Sequence, residues 1–163
     1  MIQTERQEII LRPLVRTEIP LLLTYIKKMA KYEKLSDQVT ATQAVLENTI
    51  FNENAAKVYF LEKHGQIIGF VLYGLLMSTF TGKPTLYLED IFIDEAERGF
   101  GYGKLIFKEL AKIAKANDYG RIDWQCLDWN KSSINFYLKL GATPMDDWTM
   151  YRLDEEGIIN LTK

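Results

Sequence analysis

The sequence predicts an α/β fold: one mixed, mostly antiparallel sheet flanked by helices, built as a single domain over residues 1–163. Three observations carry that prediction. Apolar residues recur at helical spacing in residues 19–30 and 106–114, and more modestly in 45–50. Strand-like runs occupy residues 57–62, 66–77 and 85–93, with turn residues between them. The order is strand, two helices, a strand meander, then strand–helix–strand–helix–strand, which places helices on the faces of a mixed sheet.

Each element has a local reason. Ile9, Ile10 and Leu11 form a short strand before Pro13. Thr17 is placed as the N-cap of a helix whose face carries Ile19, Leu22, Leu23, Ile26, Met29 and Ala30, with Pro20 in the first turn. Thr40 and Gln43 have capping-box spacing ahead of Val45, Leu46, Thr49 and Ile50. The run 66–77 is nearly all apolar, so it is expected to be buried on both faces. Residues 94–102 form a glycine-rich loop, and a helix over 103–117 buries Ile106, Phe107, Leu110, Ile113 and Ala114. A strand follows over 121–127. Asn130 caps a short helix that ends near Gly141, and a final strand is expected over 148–153.

Composition narrows the function. With 20 basic and 22 acidic residues the net charge is -2, which gives no electrostatic reason to expect nucleic acid as a partner. Cys126 and His64 each stand alone, so no disulfide framework and no Cys/His metal site is expected. No apolar run approaches the ~18 residues of a membrane span, and the first residues carry no signal-like core. The expectation is a cytoplasmic protein with neither a metal nor a membrane partner.

The segment that carries chemistry is residues 87–104, YLEDIFIDEAERGFGYGK. A strand runs into Arg98, Gly99, Phe100, Gly101, Tyr102 and Gly103, and a helix begins at once. Alternating glycines let successive N–H groups converge at a helix N-terminus, which favours an anion. Arg98 and Lys104 add positive charge, so the segment suits a pyrophosphate. A Walker loop requires Ser or Thr after the lysine, and Leu105 stands there; the dinucleotide fingerprint requires glycine where Lys104 stands.

Residues 98–103 resemble the R/Q-x-x-G-x-G/A loop of the Gcn5-related N-acetyltransferases (GNAT). Asp128, Trp129 and Asn130, then Ser133 to Tyr137 and Gly141-Ala142, resemble the later motif of that family. Tyr87 to Asp90 and Ala30 to Glu33 are similar to its diamine acetyltransferase branch, which covers spermidine/spermine and thialysine enzymes. The resemblance implies a sheet splayed after residues 85–93, with acetyl-CoA as cosubstrate in the opening. It implies pyrophosphate binding at Arg98, Gly99, Phe100, Gly101, Tyr102, Gly103 and Lys104. The pantetheine arm would follow Ile91, Phe92 and Ile93, with Asn130, Ser133 and Tyr137 also contacting the coenzyme. Tyr32, Glu33, Glu89 and Asp90 would bind the amine, and the branch implies a homodimer. Residues 32–37 and 127–130 look more like the thialysine type, and residues 78–83 lack the acidic residue of the polyamine-specific type.

The reaction sets its own demands. An alkylammonium titrates near ~10.4, so a base must remove its proton before attack on a thioester. The resemblance gives that role to Glu89, acting through water. Strand alternation turns Asp90 to the opposite face unless a bulge intervenes. The departing thiolate needs a proton, and Tyr137 matches the family's general acid. A Ser-His-Asp or Cys-His hydrolase would need His64, which falls in a turn, or Cys126, which sits in a strand pattern. The remaining alternative is a catalytically silent acyl-CoA-binding sensor or interaction domain; the presence of both Glu89 and Tyr137 favours the enzyme.

Overall fold

The computed structural model describes residues 1–163. The chain divides into two compact units, 1–127 and 128–163. The first contains a six-stranded sheet in sequential order: β1 (Ile2–Gln3), β2 (Ile9–Pro13), β3 (Lys57–Lys63), β4 (Gln66–Met77), β5 (Pro84–Ile93) and β6 (Arg121–Trp124). All neighbours are antiparallel except β5 and β6, which run parallel. The mixed, mostly antiparallel sheet expected from sequence is present, with the two-residue β1 added.

The sheet is buried on both faces in its middle. Phe60 and Leu61 are adjacent on β3, Phe70 and Val71 on β4, and all four are 0% exposed. Successive strand side chains face opposite sides, so each pair covers both faces. On one face α1 (Ile19–Glu33) lays Leu22 and Tyr25 onto Phe60, Phe70 and Phe92. Helix α3 (Tyr102–Ala116) packs against β5 and β6 and fully buries Ile106 and Leu110. Gly69 is fixed by packing: a Cβ there would lie 2.2 Å from the Phe92 carbonyl oxygen, so only glycine lets β4 approach the end of β5.

Several local expectations are corrected. Thr17 is not the cap of α1. The chain enters through a 3-10 turn over Arg16–Glu18, where a Glu18 carboxylate oxygen accepts from the Val15 N–H at 3.1 Å. Glu18 is held there by Arg12, whose terminal nitrogens reach its two oxygens at 2.9 and 2.7 Å while its Nε reaches Glu62 at 2.8 Å. Thr42 rather than Thr40 caps α2 (Gln43–Glu47), accepting from the Val45 N–H, and a π-helical turn, Asn48–Asn52, continues it. The strand expected over 121–127 stops at Trp124, which leaves Cys126 beyond the ladder and half-buried.

In the second unit, Asn130 caps α4 (Lys131–Lys139) as expected, accepting from the Ser133 N–H at 3.2 Å, and Gly141 follows with φ +88°. Residues 148–153 form no strand. Their alternating pattern is strand-like, but a strand needs a ladder partner, and Trp148 and Tyr151 stand 69% and 90% exposed. Instead Asp154 caps α5 (Glu155–Leu161) by accepting from the Gly157 N–H at 2.8 Å. No helix is long and apolar enough to cross a membrane.

One contact fixes α1 over the end of β5. The Tyr25 hydroxyl lies 2.7 Å from the Ile67 carbonyl and 3.0 Å from an Asp94 carboxylate oxygen, and Lys28 reaches the other Asp94 oxygen at 3.0 Å. Burial and the Asp94 charge push the Tyr25 phenol above its ordinary range. Tyr25→Phe keeps the ring contacts and removes this link. It should lower unfolding free energy by about 1–2 kcal/mol, the usual value of such a bond, measured by urea titration.

Candidate active site

The site is organised by β5. Its parallel pairing with β6 covers only Thr85 to Leu88. From Glu89 to Ile93 the strand is held by β4 alone, so the ladder opens on the β6 side. Strand edges present N–H and C=O groups to whatever lies beside them. Ile91, Phe92 and Ile93 lie on this stretch. The Ile93 carbonyl is already engaged, accepting from Arg98 Nε at 2.8 Å. Phe92 is 7% exposed and belongs to the aromatic core.

The β4–β5 register also shifts at the same place. Leu72 pairs with Asp90 and Tyr73 with Leu88, leaving Glu89 as an extra residue. Such a bulge interrupts the alternation of side chains. Tyr87 and Glu89 line a cavity of about 300 Å³ with Thr49, Ala55, Leu72 and Gly74. Asp90 sits opposite Leu72, which packs at the margin of the α1-side core. The alternation expected to separate Glu89 from Asp90 is thus cancelled, and both carboxylates serve one face.

Their environments differ. Glu89 is exposed, whereas Asp90 is partly covered. Burial first, then the charges of Glu89 and Glu33, push the Asp90 carboxyl up to about 7. Burial raises Glu33 as well. Glu33 closes α1, next to Tyr32 in its last turn. Strand and helix therefore bring Glu33 near Asp90, 57 residues away in sequence (90 − 33). No group of three or more His, Cys, Asp or Glu residues is arranged to hold a metal ion.

The glycine loop leads directly into α3. Gly99 and Gly101 both have φ +84°, and Gly101 is the N-cap residue of the helix. A Cβ on either would meet no protein atom within 4 Å, so conformation rather than crowding demands glycine here. The first-turn N–H groups of Tyr102, Gly103 and Lys104 lie at the positive end of a 15-residue helix. That arrangement can hold a phosphate oxygen.

Two basic residues that local sequence does not suggest also hold this loop. Arg6, on the turn between β1 and β2, donates to the Phe100 carbonyl at 2.5 Å and lies over the Tyr102 ring. Lys63 bonds Glu97 at 2.8 Å and sits over the Phe100 and Tyr102 rings. Glu97 holds the Lys63 ammonium charged, raising its pKa. No motif contains them, since 94 residues separate Arg6 from Phe100. Arg98 turns back toward the sheet, with its guanidinium 4.2 Å from the Tyr32 ring centroid and 5.4 Å from that of Phe92.

In the second unit, Asn130 is buried and spends its side-chain oxygen on the α4 cap. Ser133 supplies the capped N–H. Tyr137 is half-buried, its ring 5.3 Å from that of Phe136, and its carbonyl accepts from Ala142 as the helix closes.

Comparison with known proteins decides the family. A family model described as the acetyltransferase (GNAT) family matches residues 24–142. The chain belongs to this family. It is an acetyltransferase, and the family uses acetyl-CoA as cosubstrate. The acetyltransferase is 34% identical over 152 residues to thialysine N-epsilon-acetyltransferase of Sus scrofa, covering 86% of this chain and 89% of the relative. It is 28% identical to L-ornithine N5-acetyltransferase of Arabidopsis thaliana, covering 90% and 85%. An integron cassette protein from the mobile metagenome of V. cholerae superposes with a TM-score of 0.78 at 25% identity, covering 96% and 98%.

The φ of Gly101 gives a direct test. A valine there would be forced into left-handed backbone at a cost of about 1–3 kcal/mol, so the N–H cradle should deform. Gly101→Val should weaken acetyl-CoA binding about five- to hundredfold by calorimetry, with far-ultraviolet circular dichroism retained.

Proposed function

We propose that this acetyltransferase moves acetyl from acetyl-CoA to a primary amine of a small cationic molecule, such as a thialysine-like amino acid or a diamine. The observation that carries the proposal is the bulge at Glu89, which gathers Glu89 and Asp90 on one face with Glu33 nearby. The Glu89 carboxylate in the wall of a cavity of this size suits an ammonium on a short aliphatic chain. The names of the relatives from Sus scrofa and Arabidopsis thaliana support an amino-acid side-chain amine.

In this reading the coenzyme pyrophosphate lies on residues 99–104, and the pantetheine arm runs along the open edge of β5. Glu33 and Asp90 attract the substrate cation. Glu89 takes a proton from the ammonium through water, and the freed amine attacks the thioester carbon. Attack leaves a surplus proton on the amine nitrogen. The tetrahedral intermediate collapses with loss of the CoA thiolate, Tyr137 protonates that thiolate, and the resulting phenolate takes up the nitrogen proton, which leaves the neutral amide and restores Tyr137. Asn130 and Ser133 help to seat the coenzyme.

Proton inventory separates these roles. Tyr137→Phe should lower kcat by about 10²–10⁴ with acetyl-CoA affinity little changed. Glu89→Gln should lose less, and its deficit should shrink as pH rises toward the amine pKa, while the Tyr137 variant gains no such rescue. Asp90 adds a second signature. Burial and the neighbouring carboxylates push its carboxyl up to about 7, so it gains its charge as pH rises through that value. The substrate stays cationic throughout, so amine KM should fall as pH rises through about 7. Asp90→Asn should abolish that dependence. The measurement is thiol release from pH 6 to 9.5 with an amine panel. Coenzyme binding without thiol release on any amine would favour the silent sensor instead.

We also propose that the enzyme is a homodimer. The exposed aromatic side chains of Trp148 and Tyr151 support this, since such groups anchor interfaces. Light scattering at micromolar concentration should give twice the 18.9 kDa chain mass; the monomer mass would refute it.

A further inference from the structure

Arg98 belongs by sequence to the phosphate loop, yet its side chain is committed elsewhere. Its Nε donates to the Ile93 carbonyl at 2.8 Å, which fixes the guanidinium over the end of β5. The flat cation then lies against two rings, Tyr32 at 4.2 Å and Phe92 at 5.4 Å. Phe92 is part of the rigid core, where its ring is 6.3 Å from Tyr25 and 6.5 Å from Phe70. Tyr32 is different. It is 39% exposed and sits in the last turn of α1, one residue before Glu33.

That last turn needs outside support. α1 closes on Lys34 in the left-handed conformation, φ +63°, with the Leu35 N–H bonded to the Ala30 carbonyl at 2.8 Å and the Lys34 N–H to the Lys31 carbonyl at 3.2 Å. Glycine is the usual residue at such a closure, and a lysine there costs about 1–2 kcal/mol. A helix end closed at a cost frays more readily unless something holds it. Arg98 on Tyr32 is a contact that reaches this turn from the coenzyme loop.

We propose that Arg98 is a positioning residue for the amine site: stacked on Tyr32, it holds the last turn of α1, and with it Glu33, in register with the coenzyme loop. The inference rests on the amine-acetyltransferase reading for its kinetic consequence. It makes the amine pocket sensitive to the state of the phosphate loop, because one side chain is bonded at the end of β5 and stacked on the substrate side. Lysine in place of Arg98 would retain the charge but lose the planar face and the Nε geometry.

The test is a double-mutant cycle between Arg98 and Tyr32, read in two ways. The first is amine KM at saturating acetyl-CoA. Arg98→Lys should raise it about three- to tenfold, the range of a partly exposed cation–π contact, with a smaller effect on kcat. That penalty should persist in a Tyr32→Phe background, where a ring remains, and largely vanish in Tyr32→Leu. The second readout needs no turnover: hydrogen exchange of the Lys34 and Leu35 amides. Arg98→Lys should speed this exchange when residue 32 is aromatic and leave it unchanged in the leucine background. Equal Arg98→Lys penalties in all three backgrounds, or an effect confined to acetyl-CoA affinity with unaltered exchange, would overturn the proposal. A wild-type enzyme that releases no thiol with any amine would instead sink the amine reading, while the exchange cycle would still decide the latch. Should Arg98→Lys fold poorly, the exchange of Tyr32→Leu against Tyr32→Phe, with Arg98 intact, carries the same comparison: equal rates would overturn the latch.

Discussion

The β5 strand has ladder partners on both sides as far as Leu88 and on one side beyond it, with the extra residue Glu89 at the point of change. Two properties follow from that single irregularity. The open edge beyond Leu88 leaves backbone beside which a coenzyme arm can lie. The bulge turns two successive carboxylates to one face, which a regular strand would not do. A regular β5 would send Asp90 to the side opposite Glu89. The irregularity is held in place from both ends. Leu86 and Leu88 are buried before it, and Phe92 is locked among aromatic rings after it.

The consequence is electrostatic. Carboxylates brought close together and partly shielded from water oppose each other's ionisation. Burial first, and then that repulsion, raises Asp90 toward neutrality, and a cation beside the cluster would relieve the repulsion. The folding cost of this arrangement is offset elsewhere, by the aromatic core under α1 and by the Arg12 fork between Glu18 and Glu62. The glycine loop before α3 is held by a separate set of contacts: Arg6 from the first hairpin and Lys63 from the end of β3. These basic groups lie around the N-terminal end of α3, each paired with an acidic residue, Arg6 with Glu8 and Lys63 with Glu97.

Much of the site was legible locally, because its signals are local. The glycine positions Gly99 and Gly101 encode positive φ, and the N-terminal turn of α3 follows from them. Asn130 announced its own cap, since the bond runs only three residues, to Ser133. The pairing of Glu89 with Asp90 was not legible: alternation predicts opposite faces, and a bulge is set by how β4 packs across from it. Arg6 and Lys63 were missed for the same reason, as were the Arg98 stack and the entry turn into α1. The final strand expected over residues 148–153 failed in the opposite way. Its residues have strand propensity, but strand formation depends on a neighbour that sequence cannot supply.

By itself the sequence determined the element order from β2 to the Asn130-capped helix, the buried run of β4, the glycine loop and the family motifs, because each depends on periodicity, turn chemistry or short spacing. Only the tertiary structure decided that β5 bulges at Glu89, that Glu33 joins Asp90, and that Arg98 turns from its own loop to Tyr32. Those depend on contacts between residues tens of positions apart, where the energy of packing, not the preference of any single residue, selects the arrangement.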